Sequence, residues 1–142
     1  WMQSSFRLDD NWALAIAQYE AVQQNKPLLI YHGLRADYPW ASARFHTFIL
    51  ESVIDLQREA EAHGLTYLFY LDPGPGARGA ESPLVGLARR ASLVVTDRTP
   101  TFIHERQIRH LQRKIETPVW SVDGNTLLPL TWPGQPVQTA RG

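Results

Sequence analysis

Two aspartates directly follow apolar runs of this sequence and could bind a ligand. Asp97 ends the run at 93–97, and Asp123 ends the run at 119–123. In parallel α/β sheets, ligands bind beyond the carboxyl ends of the strands. Aspartate is also a common strand-end residue and helix cap, so a purely structural role remains open. The loops of interest follow the strands, at 3–8, 32–41, 72–81, 97–101 and 123–129.

The most conspicuous motif is a glycine pattern at 74–79. Gly74, Gly76 and Gly79 match G-x-G-x-x-G between a predicted strand and a predicted helix, as in dinucleotide-binding folds. Pro73 and Pro75 remove backbone N–H groups that a pyrophosphate needs, and the helix begins only after the last glycine. We therefore interpret this stretch as a mobile surface loop.

Other catalytic and metal-binding patterns are incomplete. His104-Glu105 begins an H-E-x-x-H zinc motif, but Ile108 occupies the position of the second histidine. The sequence contains no G-x-S-x-G nucleophile motif. We expect neither a catalytic residue nor a metal ligand in this chain.

Composition narrows the class of protein. The chain has 142 residues, 44% of them hydrophobic, and its 14 basic and 14 acidic residues balance. One globular domain fits this length, and the zero net charge argues against a polybasic tail for nucleic acids or membranes. The absence of cysteine excludes disulfides, thiol catalysis and iron–sulfur centres. With no signal peptide and no apolar run of roughly 20 residues, we expect a soluble, cytoplasmic protein.

Strands and helices alternate along the sequence. Apolar runs predict strands at 1–3, 28–31, 65–71, 93–96 and 119–122. Helices are predicted at about 11–24, 42–63, 82–91 and 99–115. This order is typical of an α/β fold with a parallel sheet of about five strands and helices on both faces.

Several segments together resemble the photolyase/cryptochrome family. The pattern W-M-Q-x-x-x-R-x-D-D-N-W-A-L at 1–14 is similar to the start of class II-type DNA photolyases. The runs at 41–50, 93–97 and 118–129 resemble later segments of the same N-terminal domain, in order. Ser4, Ser5 and Phe6 depart from the family, which often has charged residues there.

The resemblance implies a fold and a function. It implies a Rossmann-like three-layer domain at 1–130 with strand order 3-2-1-4-5, and a linker-like tail at 131–142. The helical domain that binds FAD and flips the pyrimidine dimer out of DNA is absent from these 142 residues. We therefore expect the N-terminal domain of a light-dependent DNA photolyase, cut from a longer chain with apolar residues before Trp1. On its own it is expected to be inactive and to bind no FAD.

The strand order also implies where an antenna chromophore, a deazaflavin or a folate, would bind. The loops that leave the first and fourth strands diverge there and open a cleft, and the neighbouring second strand adds residues to it. They supply the candidate cofactor-binding residues Gln3, Ser4, Arg7, His32, Gly33, Leu34, Asp97, Arg98 and Thr99. Alternatively, Arg7 and Asp97 pair with each other or cap helices.

Two other functions compete with this interpretation. One is a stand-alone nucleotide-binding or stress-response module with a similar sheet, and the other is a light-signalling cryptochrome relative. Nucleotide-binding modules of this type place a glycine-rich phosphate loop after the fourth strand. The stretch at 97–103 contains no glycine, which disfavours the first alternative.

Overall fold

A computed structural model describes residues 1–38, 41–73, 82–99 and 103–126. The helices are α1 (Trp12–Gln23), α2 (Ala43–Ala62), α3 (Pro83–Arg90) and α4 (His104–Gln112). The strands are β1 (Leu29–Arg35), β2 (Thr66–Asp72), β3 (Val94–Asp97) and β4 (Val119–Val122). The predicted α/β class is confirmed. The glycine pattern at 74–79 and the tail at 131–142 lie outside the described residues.

Local sequence signals explain where the helices begin and end. The side chain of Asn11 accepts a hydrogen bond from the Leu14 amide and caps α1, and Ser42 does the same for Phe45 in α2. Gly64 follows α2 with φ +66°, a left-handed conformation that favours glycine. None of the described helices is both long enough and apolar enough to span a membrane.

The strands form two parallel pairs. β1 pairs with β2, from Leu29 opposite Thr66 to Arg35 opposite Asp72. β3 pairs with β4, from Val94 opposite Val119 to Asp97 opposite Val122.

Residues 1–3 lie between the two pairs. Met2 forms an isolated parallel bridge with His32 of β1. On the other side, the nitrogen of Trp1 donates a hydrogen bond to the Val95 carbonyl of β3 at 2.7 Å. The continuous sheet of five strands is therefore wrong for the described residues, because three residues form a bridge but no strand of their own.

Two predicted boundaries also need correction. The loop expected to begin at His32 begins after Arg35, because His32, Gly33 and Leu34 pair with Phe69, Tyr70 and Leu71 of β2. The last helix begins at His104 rather than at 99–100. Thr99 is not helical, and residues 100–102 lie outside the described part of the chain.

The core lies on both faces of the strands. Leu14 of α1 and Leu56 of α2 pack with Met2 and Ile30 on one face. On the other face, helices α3 and α4 pack against Val94 through Val85, Ala88 and Leu111. Val94 points toward α3 and α4. Because successive residues of a strand point to opposite faces, Val95 and Asp97 point toward α1 instead.

Candidate functional site at the carboxyl ends of the strands

Asp97 is the centre of a hydrogen-bond network at the carboxyl end of β3. Its side chain is buried, and both carboxylate oxygens accept hydrogen bonds from the segment that follows residue 2. The Gln3 amide donates to Oδ1 at 2.8 Å, and the Ser4 and Ser5 amides donate to Oδ2 at 2.7 and 3.1 Å. The Ser4 hydroxyl also donates to Oδ2. Asp97 therefore fixes the path of the chain between residue 2 and α1.

These contacts determine the ionisation of Asp97. Burial by itself raises the pKa of the carboxyl group. The hydrogen bonds from the Ser4 side chain and from the amides of Gln3, Ser4 and Ser5 outweigh burial and lower the pKa below its ordinary value. Asp97 is thus ionised at neutral pH, and its charge is stabilised by donors within the chain.

Two threonines extend the network. The Gln3 amide nitrogen Nε2 donates to Thr96 Oγ1 at 2.9 Å, and that hydroxyl donates to the Trp1 carbonyl at 2.8 Å. On the other side, the hydroxyls of Ser4 and Thr99 lie 2.9 Å apart. We call these residues the Asp97 cluster: Gln3, Ser4, Ser5, Thr96, Asp97 and Thr99. Within the described residues, the buried Gln3 Oε1 has no hydrogen-bond partner.

His32 lies near this cluster but is enclosed by aromatic rings. Its side chain is 1% exposed. Phe6 stacks on it with ring centroids 4.4 Å apart, and Phe69 contacts it edge-on at 5.3 Å. Nδ1 of His32 is 2.7 Å from the Tyr67 hydroxyl. Burial lowers the pKa of His32 to about 4, although the charge of Asp97 opposes this shift, so His32 is neutral at neutral pH.

The neighbours of His32 on β1 also have contacts within the chain. Leu34 is buried and packs with Ile49 and Val53 of α2. A Cβ added to Gly33 would lie 2.9 Å from the Tyr31 hydroxyl, so the Tyr31 ring already fills the space beside this glycine. Burial, together with the nearby Tyr70 and Asp72, raises the pKa of Tyr31 to about 12.

The two predicted arginines lie apart from Asp97. Arg7 is exposed, and its Nη2 donates to the Asp10 carbonyl at 3.3 Å. Arg98 forms an ion pair with Glu105 of α4, with Nε 2.7 Å from Oε1. Asp97 therefore accepts its hydrogen bonds from residues 3–5, whereas Arg7 donates to the Asp10 carbonyl.

The structure thus groups some of the predicted residues and separates others. Gln3, Ser4, Asp97 and Thr99 belong to one network, whereas Arg7 and Arg98 have other partners. Sequence reasoning missed Phe6, Tyr67 and Thr96. Alternation along the strands could have indicated Tyr67, because Tyr67 and Phe69 share one face of β2.

The comparison with known proteins identifies the family. A family model described as DNA photolyase matches residues 1–138. The chain belongs to the DNA photolyase family. The resemblance expected from residues 1–14 and the later strand segments is therefore confirmed.

Two curated relatives carry the same name. A deoxyribodipyrimidine photo-lyase of Methanothermobacter thermautotrophicus is 29% identical over 130 residues, which cover 92% of this chain and 28% of the relative. One of Potorous tridactylus is 25% identical over 131 residues, which cover 91% of this chain and 24% of the relative. The chain therefore spans about a quarter of the length of the relatives it matches.

One solved structure has a weaker similarity. It is a protein from the universal stress protein family from Burkholderia pseudomallei, 20% identical, with a TM-score of 0.38. The match covers 81% of this chain and 90% of that protein.

An antenna pigment expected for this family fits the described residues in part. A flat pigment needs polar partners at its ring edge and apolar walls over its faces. Arg7 is exposed, and Gln3 Oε1 has no partner in the described part of the chain, so polar groups are present. His32 and Leu34 are buried and offer a ligand little surface. The apolar walls of such a site must therefore come from residues other than His32 and Leu34.

Proposed function

We propose that this chain is the N-terminal α/β domain of a light-dependent DNA photolyase. In this proposal the full-length protein is a flavoprotein lyase that repairs cyclobutane pyrimidine dimers in DNA. The observation that carries the proposal is the family match over residues 1–138. Both curated relatives support it, because each is a deoxyribodipyrimidine photo-lyase that aligns with more than nine tenths of this chain.

In this proposal, a helical domain of the same polypeptide binds both FAD and the DNA lesion. When bound there in its reduced form, FAD would supply the light-driven electron transfer that splits the dimer. The described residues have a structural role in this proposal, because the Asp97 cluster fixes the segment between residue 2 and α1 through hydrogen bonds within the chain. The α/β domain is accordingly a support for the helical domain, and damaged DNA is bound only through that second domain.

We further propose that a deazaflavin or folate antenna contacts this chain at the carboxyl ends of β1 and β3. Arg7 and Oε1 of Gln3, which has no partner among the described residues, are the polar groups that would bind the pigment. Asp97 acts indirectly, by positioning Gln3 and Ser4. The helical domain would provide the apolar walls that His32 and Leu34 do not provide.

A repair assay tests the proposed function. The full-length protein encoded with this chain should convert a dimer-containing oligonucleotide to intact pyrimidines under near-ultraviolet or blue light, and not in the dark. The 142-residue chain alone should give no repair and no co-eluting flavin spectrum. Light-independent conversion, or stoichiometric flavin on the isolated chain, would contradict the proposal.

The antenna site is tested in the same full-length protein after reconstitution with a deazaflavin. Arg7→Ala and Asp97→Ala should each weaken retention of the pigment and leave the FAD content unchanged. Arg58→Ala is the matched control, because Arg58 is an exposed residue of α2. Unchanged retention in both test variants would remove these residues from the site, whatever the repair assay shows.

A further inference from the structure

The basic residues of this chain are concentrated in one stretch of the sequence. Seven of the 14 basic residues lie within 89–114, together with two of the 14 acidic residues. Helix α2, which packs on the other face of the strands, has four acidic residues and two basic ones. The zero net charge of the chain therefore conceals a separation of charge between the two sides of the domain.

Helix α4 presents a row of basic side chains on its outer side. Ile108 and Leu111 are its buried residues and face the strands. At helical spacing, the side opposite to them carries four residues, all of them exposed. We call these residues the α4 basic face: Arg106, Arg109, His110 and Arg113.

Interactions within the described part of the chain neutralise little of this face. Glu105 is the acidic residue of α4, and its Oε1 lies 2.7 Å from Nε of Arg98. Its other oxygen is 3.6 Å from Nη2 of Arg109, which remains 68% exposed. Arg106 and Arg113 form no ion pair with the described residues. The face thus keeps most of its positive charge.

The helix dipole explains only part of the row. Cations are favourable in the last turn of a helix, where Arg109 and His110 lie. Arg106 is the third residue of α4, close to the positive end of the dipole, where a cation is unfavourable. A negatively charged partner on the outer side of α4 would account for a basic residue at this position.

The end of α3 extends the basic surface. Arg89 and Arg90 occupy the last turn of α3 and are exposed. Nη2 of Arg89 donates a hydrogen bond to the Lys114 carbonyl at 3.3 Å, so the ends of α3 and α4 lie side by side. Positive charge therefore continues from the α4 basic face onto a neighbouring element.

The chemistry of the face favours phosphates over a protein partner. Protein interfaces usually depend on buried aromatic or apolar anchors, and the α4 basic face has none. The planar fork of arginine matches the geometry of phosphate oxygens. Arg106 and Arg113 are about 10 Å apart along the helix. A duplex carries one negative charge per roughly 1.7 Å of its axis, so this length of duplex offers about six charges.

We propose that the α4 basic face binds the phosphate backbone of double-stranded nucleic acid without reading its bases. Its contacts would be to undamaged duplex, whereas the helical domain of the proposed function binds the lesion. The inference goes beyond that function and does not depend on it, because arginines bind phosphates whether or not a lesion or a flavin is present.

Binding of a short undamaged DNA duplex to the full-length protein, in the dark, tests the proposal. The test variant carries Arg106→Gln, Arg109→Gln and Arg113→Gln. The control variant loses the same charge at three exposed positions elsewhere in the domain, through Lys26→Gln, Arg44→Gln and Arg58→Gln.

We expect the test variant to lose at least tenfold in affinity at low salt, and the control to lose less than twofold. The slope of the logarithm of affinity against the logarithm of salt concentration should also become shallower by about 2–3 in the test variant. Equal losses in the two variants would show an effect of net charge alone. Either that result or an unchanged affinity in the test variant would overturn the proposal.

Modification of arginines by phenylglyoxal, followed by mass spectrometry, gives a second measurement on the unaltered full-length protein. Saturating duplex should slow the modification of Arg106 and Arg113 at least fivefold and that of Arg44 and Arg58 less than twofold. Polyglutamate at the same concentration of charge should protect Arg106 and Arg113 less than the duplex does. Equal protection by polyglutamate would assign the face to acidic protein segments, and rates unchanged by the duplex would show that it does not bind there. Either result would overturn the proposal.

Discussion

The backbone amide of Gln3 donates a hydrogen bond to Oδ1 of Asp97 at 2.8 Å, although the two residues are 94 positions apart. The amides of Ser4 and Ser5 bind the other carboxylate oxygen. One buried carboxylate thus holds the start of the chain against the end of β3. The segment between residues 3 and 5 depends on a charge supplied by a distant strand.

Replacing that charge should destabilise the domain. In Asp97→Asn the amide group places N–H donors opposite backbone N–H donors, so we expect a loss of about 2–3 kcal/mol in the free energy of unfolding. Asp37→Asn is the control, because Asp37 is exposed and pairs with the neighbouring Arg35, and it should cost less than about 1 kcal/mol. Urea unfolding at neutral pH measures both. Similar losses in the two variants would contradict this role for Asp97.

Stability should fall as the pH decreases from about 6.5 to 4. In the unfolded chain His32 takes up a proton near pH 6.5, whereas burial holds its pKa in the folded state at about 4. The unfolded state therefore binds more protons in this window, and the free energy of unfolding decreases by about 3 kcal/mol across it.

Urea unfolding at a series of pH values checks this dependence. The decrease between pH 6.5 and 4 should become much shallower in His32→Phe, which cannot take up a proton. This comparison uses the slope against pH, so a general loss of stability in the variant does not affect it. An unchanged slope would show that His32 is not the group responsible.

Asp97 adds a second loss at lower pH. Burial opposes the shift, but the donors from residues 3–5 lower the pKa of Asp97 in the folded state. Its contribution is fully present above the unfolded pKa, near 3.8, and disappears as the pH falls below that value. The difference in stability between the unaltered chain and Asp97→Asn should therefore shrink below pH 4, as measured by acid titration of the circular dichroism signal.

The hydroxyl of Tyr67 should contribute through its contact with His32. Tyr67→Phe leaves Nδ1 of the buried His32 without its 2.7 Å partner, and we expect a cost of about 1–2 kcal/mol. Tyr19→Phe removes the same hydroxyl from an exposed position of α1 and should change stability by less than about 0.5 kcal/mol. The midpoint of thermal unfolding is measured for both variants. Equal shifts of the midpoint would contradict the prediction.

Two glycines should respond oppositely to alanine. A Cβ at position 33 would lie 2.9 Å from the Tyr31 hydroxyl and 3.1 Å from Cε1 of the same buried ring, so Gly33→Ala should cost about 1–2 kcal/mol. A Cβ at position 86, inside α3, meets no atom within 4 Å, so Gly86→Ala should stabilise the domain by about 0.5–1 kcal/mol. The denaturant midpoints of both variants show whether each substitution stabilises or destabilises the domain. Stabilisation by Gly33→Ala would show that Tyr31 moves aside freely.

The sequence predicted the elements of this fold well because their signals are local. Asn11 and Ser42 mark the starts of α1 and α2 by capping them, and Gly64 marks the end of α2. Periodicity placed β2 and β4 within one residue of their observed positions. The family was identified from residue patterns that require no knowledge of contacts.

The candidate site was predictable only in part. Asp97 was recognisable as a strand-end carboxylate, but its partners were not, because they are backbone amides and any residue type supplies an amide. His32 and Leu34 were expected in a loop because the apolar run ends at Tyr31. They extend β1 because β2 offers a partner at every position. Burial among Phe6, Tyr67 and Phe69 then makes His32 a neutral core residue.

The sequence by itself therefore determined the α/β class, the order of α1–α4 and β1–β4, and the family. Tertiary structure alone decided that residues 1–3 lie between β1 and β3, that Asp97 accepts hydrogen bonds from residues 3–5, and that Tyr31 fills the space beside Gly33. The physical reason is the range of the interactions. Capping and periodicity act within a few residues, whereas burial and the pKa values it sets depend on groups that only the folded chain brings together.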